Sequence, residues 1–173
     1  MPVVKKFTRF CGIDIAKDKH VVCVIDKDGC QCVRPCSSAN NVQGYQRLLD
    51  RIKGAGRTSS ILIGMEATGH YWYSLHDFLT RCGYTVVVLN PIQTARQVAQ
   101  AIRKCKTDKY DAAHIAALIR SGNYRPAAIP GELAMTCRQL TRLRYSMLQQ
   151  QTRIKQLFWS KLHPVWPEYE PLF

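Results

Sequence analysis

Four acidic residues stand in settings where a carboxylate could do chemistry. Asp14 ends the apolar run of G-I-D-I-A-K, and Glu66 ends that of I-L-I-G-M-E. Asp108 and Asp111 stand three residues apart in K-T-D-K-Y-D-A-A. Carboxylates gathered from separate elements can hold a pair of Mg²⁺ or Mn²⁺ ions, which activate an attacking oxygen and stabilise a leaving oxygen in phosphodiester chemistry. We therefore predict that these four residues are metal ligands and form a catalytic site.

The aspartate pair also has a simpler interpretation. At i and i+3, Asp108 and Asp111 share one face of a helix, and both would lie in its first turn. Acidic residues are common there because they complement the helix dipole. His114 follows on the same face, where a structural role is favoured over a ligand role. The catalytic interpretation depends on all four carboxylates together.

The charge of the chain predicts an anionic partner. Lys and Arg number 25 against 12 Asp and Glu, which gives a net charge of +13 among 173 residues. Such an excess is typical of nucleic-acid binding, where cations contact phosphates without reading bases; an unspecialised basic surface is the alternative. The residues expected to contact phosphate flank the acidic ones and are Lys17, Lys19, Lys104, Lys106 and Lys109.

Cysteine spacing and hydropathy bear on the compartment. Cys30, Cys32 and Cys36 form C-x-C-x3-C without a fourth ligand nearby, which is a poor zinc pattern. No apolar run reaches the roughly 20 residues of a membrane span, and the N-terminus has no signal-peptide pattern. We expect a cytoplasmic chain with reduced thiols.

The elements that must position the carboxylates follow from hydrophobic periodicity. The pattern predicts three strands, then helix, strand, helix, strand and two helices. Their ranges are 8–15, 20–26 and 31–37, then 41–53, 60–65, 71–81, 84–90, 91–104 and 107–120. A meander followed by alternating helices and strands indicates an α/β domain over 1–122, with a mixed sheet flanked by helices.

The C-terminal part is of a different kind. Residues 123–131 read as a linker, and 164–173 as a Pro-rich and aromatic tail. Residues 132–163 contain no Pro or Gly and place Leu133, Leu140, Met147 and Ile154 seven apart. This spacing predicts a long coiled-coil-like helix and a homo-oligomer, most simply a dimer. The alternative is a helix that packs back on its own domain.

At this point the sequence resembles a known family. G-I-D-I-A-K-D-K-H, M-E-A-T-G-H-Y and N-P-I-Q…K-T-D-K-Y-D-A, within residues 9–121, resemble the N-terminal domain of the DEDD transposases of bacterial insertion sequences. These are RuvC-like enzymes, some of them recombinases guided by a bridge RNA. The resemblance implies a ribonuclease-H-like fold, DNA transposition or site-specific recombination with Mg²⁺ or Mn²⁺, and DNA and a structured guide RNA as partners. It also implies that the four carboxylates are the catalytic tetrad.

Other functions stay open beside this one. Family members are longer and carry a C-terminal domain with a nucleophile-like serine, so strand transfer by these residues alone is expected to be incomplete. A stand-alone RuvC-like nuclease or Holliday-junction resolvase would use the same carboxylates, and a non-catalytic nucleic-acid-binding module would not need them. An actin-like sugar-kinase or ATPase domain would need a Gly/Thr-rich phosphate loop where this chain has A-K-D-K-H.

Overall fold

Five strands form one mixed sheet in the computed structural model, which describes residues 7–67, 69–91, 108–129 and 131–168, without the side chains of 108–110 and 132. The sheet order is β3-β2-β1-β4-β5, with β1, β2 and β3 antiparallel and β4 and β5 parallel to β1. This arrangement confirms the predicted ribonuclease-H-like fold class. The strands are β1 Arg9–Ile15, β2 Lys19–Asp26, β3 Gln31–Ala39, β4 Ile61–Glu66 and β5 Thr85–Leu89.

Three described helices accompany the sheet: α1 Val42–Gly54, α2 Trp72–Arg81 and α3 Asp108–Ser121. Helix α1 begins where predicted, because the Asn41 side chain accepts a hydrogen bond from the Gly44 main-chain nitrogen at 2.8 Å. The helix predicted over 91–104, the Thr107 cap, Lys104 and Lys106 lie outside the described residues.

The two sides of the sheet have separate cores, because side chains of a strand alternate between its faces. On one side, which we call the α1/α2 face, Ile13, Ile63 and Met65 pack with residues of α1 and α2. On the other, the α3 face, Phe10 and Leu62 pack with residues of α3. Strand β4 is almost wholly apolar since it is buried on both sides.

The segment after α3 returns to the sheet. Pro126 forms an antiparallel bridge with Leu89 at the edge of β5, and the Ala127 nitrogen donates to the Val88 carbonyl at 2.7 Å. Part of the segment that the sequence indicates as a linker therefore contacts the sheet edge. Its role as a linker stays a prediction.

The chain divides into two compact units, Met1–Ala128 and Ile129–Phe173. The second unit contains helix α4, Glu132–Leu162, which confirms the predicted long helix. With 31 residues, it is about 46 Å long. Leu140, Met147 and Ile154 are 60%, 61% and 66% exposed. Among the described helices, none is both long and apolar enough to cross a membrane.

The described cysteines are free thiols, and two of them are inside the sheet. Burial raises the pKa of Cys11 well above its usual range. Burial, with smaller contributions from Cys36 and Cys32, raises that of Cys23 to about 11. These thiols remain protonated near neutral pH, so they act as small apolar core residues.

Candidate functional site

Two of the predicted carboxylates lie at neighbouring strand ends. Asp14 is the penultimate residue of β1, and Glu66 is the last residue of β4. The parallel register pairs Gly12 with Gly64 and Ile13 with Met65, so one further step aligns Asp14 with Glu66. By the alternation of side chains, both carboxylates are on the α3 face, and both are half-buried.

Helix α3 runs antiparallel to β1 across this face. Near its C-terminal end, Arg120 donates from Nη1 to the Lys27 carbonyl at 2.8 Å. Lys27 follows β2 at the start of β1, where Arg9 pairs with Asp26. The C-terminal end of α3 therefore lies at the beginning of β1, and its N-terminal end lies toward Asp14.

The close approach of α3 to Gly12 shows where the start of α3 lies relative to Asp14. A Cβ atom on Gly12 would overlap the Ala112 carbonyl oxygen and come 2.5 Å from the main-chain nitrogen of Ala116. Asp108 is one helical turn, about 6 Å, before Ala112. Asp14 is about 6.6 Å beyond Gly12 in the same direction, since a strand rises about 3.3 Å per residue.

A parallel relation holds on the next strand. Gly64 of β4 faces the Ile115 and Ile119 side chains of α3. Asp111 precedes Ile115 by one turn, and Glu66 follows Gly64 by two residues. The helix positions that carry the aspartate pair and the strand positions that carry Asp14 and Glu66 are thus at the same end of the same face.

This placement concerns residue positions, and a formed metal centre stays a prediction. Asp111 is half-buried, and the Asp108 side chain lies outside the described residues. Among the side chains that the structure describes, no three of His, Cys, Asp and Glu are close enough together to hold a metal ion. The Nε2 atom of His114 is buried and has no hydrogen-bond partner within the described part of the chain.

The structure describes the side chains of two of the five lysines that are predicted to bind phosphate. Lys17 and Lys19 are exposed at the turn between β1 and β2, at the same end of the sheet as Asp14. The turn is closed by a hydrogen bond from the Ala16 nitrogen to the Lys19 carbonyl at 3.2 Å. Lys109 is in the first turn of α3, but its side chain is not described.

Aromatic residues follow Glu66 and divide between core and surface. Trp72, which is only 5% exposed, belongs to the core of the α1/α2 face, and its ring centroid lies 4.0 Å from that of Tyr73. Core packing therefore accounts for Trp72. Tyr71 is half-buried, with its ring centroid 4.4 Å from that of exposed His70.

Sequence reasoning missed Gly12 and Gly64, the two glycines that allow α3 to lie close to the sheet. Gly12 and Gly64 each stand two residues before a carboxylate, in G-I-D and G-M-E. A glycine inside an apolar strand pattern often marks a close backbone approach, so this signal was present. The reasoning also missed His20, which is fully buried on the α1/α2 face beside Tyr45.

Comparison with known proteins identifies the family. A model of the DEDD transposases of IS110 elements, described as a transposase, matches residues 11–167. A "Pilin gene-inverting protein" of Moraxella bovis is 33% identical over 60% of this chain and 31% of its own length. A "Mini-circle putative transposase for IS117" of Streptomyces coelicolor is 27% identical over 92% of this chain and 39% of its own. The matched part of this chain thus spans only 31% to 39% of the length of these relatives.

Among solved structures, a Thermus thermophilus RuvC in complex with a Holliday junction substrate has a TM-score of 0.44 at 13% identity. It covers 69% of this chain and 99% of its own. The family model extends over most of the chain, including the strand-end carboxylates, the aspartate pair and α4. The chain belongs to the DEDD transposase family of IS110 insertion sequences.

Proposed function

We propose that the first unit is the metal-dependent catalytic domain of a DNA transposase or site-specific recombinase. Its four carboxylates, Asp14, Glu66, Asp108 and Asp111, bind Mg²⁺ or Mn²⁺. One observation carries the proposal: Asp14 and Glu66 end neighbouring parallel strands on the face where α3 begins. Family membership supports it, because the DEDD order of the acidic residues is kept in this chain.

The donor chemistry fits hard divalent cations, which prefer carboxylate oxygens and water. Such a metal, when bound, polarises a phosphodiester oxygen and lowers the pKa of water. Asp14 and Glu66 project from strands inside the sheet, so their main chain is held rigidly. Asp108 and Asp111 are in the first turn of α3, where acidic residues complement the helix dipole.

The substrate class that we propose is DNA. The net charge of +13 suits a polyanion, and in this proposal Lys17 and Lys19, which are exposed at the end of the sheet that carries Asp14, hold phosphates. Because they contact only the backbone, these lysines contribute affinity without sequence specificity. Replacing both by Gln should weaken DNA binding and flatten its dependence on salt concentration.

Metal binding is tested by thermal unfolding with and without Mn²⁺. The parent and the control Asp50→Asn, a change at an exposed residue of α1, should gain the same increase in Tm; ligand at 100 times Kd adds about 2.7 kcal/mol. Asp14→Asn should lose most of this gain. Without metal it should be as stable as the parent or more so, since one repelling charge is removed. An equal metal-induced shift in Asp14→Asn and the parent would contradict the assignment.

A cleavage assay distinguishes this proposal from two alternative functions, a stand-alone nuclease or resolvase and a non-catalytic binding module. Metal-dependent cleavage of branched DNA by this chain alone would favour a stand-alone nuclease or resolvase. DNA binding that survives without any response to metal would favour a non-catalytic binding module. We expect DNA binding that strengthens with Mg²⁺.

We also propose that a structured guide RNA binds to this protein. Basic residues accompany the apolar stripe of α4, and they are exposed. They are Arg138, Arg142, Arg144, Arg153 and Lys155. Gel-shift titrations with a structured RNA and with a duplex DNA of equal charge should show tighter binding of the RNA; equal affinity would contradict this part of the proposal.

Two copies of the chain pair through α4 in our proposal. Leu140, Met147 and Ile154 recur every seven residues and are exposed, as expected for one helix of a coiled coil seen without its partner helix. Light scattering should give a dimer mass for the parent. Met147→Glu should give a monomer, whereas Gln149→Glu, about 200° around the helix, should remain dimeric. A monomeric parent at tens of micromolar would contradict the pairing.

A further inference from the structure

Position 12 requires a glycine because α3 leaves no room for a side chain there, and not because of the backbone conformation. The described glycines with positive φ are Gly29, Gly56, Gly69, Gly83 and Gly122, so Gly12 and Gly64 have backbone angles that any residue could adopt. A Cβ on Gly12 would nevertheless overlap main-chain atoms of Ala112 and Ala116. No side-chain rotation can relieve an overlap with main-chain atoms, so α3 would have to move away from β1.

Gly64 has the same relation to α3 through side chains. A Cβ there would come 2.7 Å from Cγ2 of Ile119 and 3.3 Å from Cγ2 of Ile115. Both isoleucines are buried, so neither can move freely into solvent. The two glycines are paired across β1 and β4, and together they leave a shallow channel in the sheet into which α3 fits.

We propose that Gly12 and Gly64 are positioning residues for the metal site. They set the height of α3 above the sheet, and through it the distance between the α3 aspartates and the strand carboxylates. The helix transmits the effect because Ala112 is covalently next to Asp111 and one turn after Asp108. This inference rests on the proposed metal-binding function.

The chemistry of Mg²⁺ makes this height important. Mg²⁺ requires near-octahedral geometry with oxygens at about 2.0–2.1 Å, so ligands from two elements must meet within a small tolerance. A misplacement of about 1 Å in a catalytic constellation costs on the order of a hundredfold in rate. A helix that lifts to accommodate one methyl group moves its aspartates by a comparable distance.

Gly44 provides a matched control on the opposite face. A Cβ on Gly44 would overlap main-chain atoms of Ala39, where α1 packs against β3. Gly44→Ala therefore creates the same kind of backbone overlap as Gly12→Ala, but it displaces α1 and leaves α3 in place. Any general loss of stability is expected in both variants.

The experiment is a Mn²⁺ titration of the full chain, followed by the EPR signal of free Mn²⁺. Gly12→Ala should weaken affinity by about tenfold or more, the range found when support of a metal ligand is lost, and Gly44→Ala should keep the parent's affinity. If Gly12→Ala binds Mn²⁺ as the parent does, or if both variants weaken equally, the positioning role is overturned.

A rescue pair decides the matter even if Gly12→Ala does not fold. Gly64→Ala should weaken Mn²⁺ binding, and Ile119→Ala added to it should restore affinity, because removing the isoleucine side chain makes room for the new methyl. Failure of the double variant to recover affinity would overturn the inference. A parent that binds no Mn²⁺ overturns the proposed function itself, whereas a parent that binds with no effect of Gly12 or Gly64 overturns only the positioning role.

Discussion

The two faces of the sheet differ in how closely a helix approaches the central strands. On the α1/α2 face, large side chains fill the space between sheet and helices, among them Tyr45, Leu48, Trp72 and Leu75. On the α3 face, Gly12 meets Ala112 and Ala116 with almost no side-chain volume between the main chains. Both faces thus gain stability from buried apolar area, since Phe10 and Leu62 are buried on the α3 face, and the α3 face also has a short distance between helix and strand at Gly12.

This difference explains where the carboxylates are. Asp14 and Glu66 are both on the α3 face, two residues after Gly12 and Gly64, although one residue earlier or later would have placed them on the other face. Only a helix that lies close to the strands can bring short aspartate side chains near carboxylates on the strands. The comparison therefore predicts that the stability of the domain and its metal affinity depend on different faces.

The largest effect on stability is expected on the α1/α2 face. Leu48 is fully buried there, and Leu48→Ala should lower the free energy of unfolding by about 2–5 kcal/mol through lost burial and an internal cavity. Urea unfolding measures this loss. The Mn²⁺ affinity of the folded protein should be unchanged, and a parallel drop in affinity would show that the faces are not independent.

Overpacking the α3 face should have a smaller effect on stability and a larger one on metal binding. Ala116 is fully buried against Gly12, so Ala116→Leu should cost about 1–3 kcal/mol by forcing α3 away from the sheet. Its Mn²⁺ affinity should fall more than that of Leu48→Ala, when both are measured at a temperature where each is folded. The reverse order would contradict the comparison.

The smallest effect concerns pH and again belongs to the α1/α2 face. Burial lowers the pKa of His20 below 6.5, and the nearby Asn40 side chain offsets this in part. The unfolded chain therefore binds a proton more readily, so stability is present above pH 6.5 and falls as pH drops below it. Unfolding at pH 7 and pH 5.5 should show this loss, and His20→Phe should reduce it. Burial also lowers the pKa of His76, so some dependence should remain.

Local patterns predicted the elements well because their causes are local. The apolar run that ends at Glu66 is a strand because it is buried on both faces, and Asn41 caps α1 through its own side chain. Strand β3 continues to Ala39, beyond the predicted end at residue 37. The reason is non-local, since Ser38 pairs with His20 and its hydroxyl donates to the Gly44 carbonyl.

The site could be predicted as a set of residue types but not as a geometry. The ends of apolar runs indicated Asp14 and Glu66, while their common face follows only from the register of β1 against β4. The fit of Ala112 into the space above Gly12 joins residues far apart in the chain, so no local pattern predicts it. The burial of His20 likewise involves a residue distant in sequence, Tyr45 of α1, whose ring stacks on it.

The most direct test of the central claim is a crystal structure grown with Mn²⁺, using anomalous scattering to locate the metal. The account predicts an anomalous peak on the α3 face, with carboxylate oxygens of Asp14, Glu66 and the α3 aspartates at about 2.0–2.2 Å from the metal positions. Asp14→Asn crystals should lose or weaken this peak. A structure in which the four carboxylates stay apart, or in which the peak lies elsewhere, would contradict the claim that they form one metal centre.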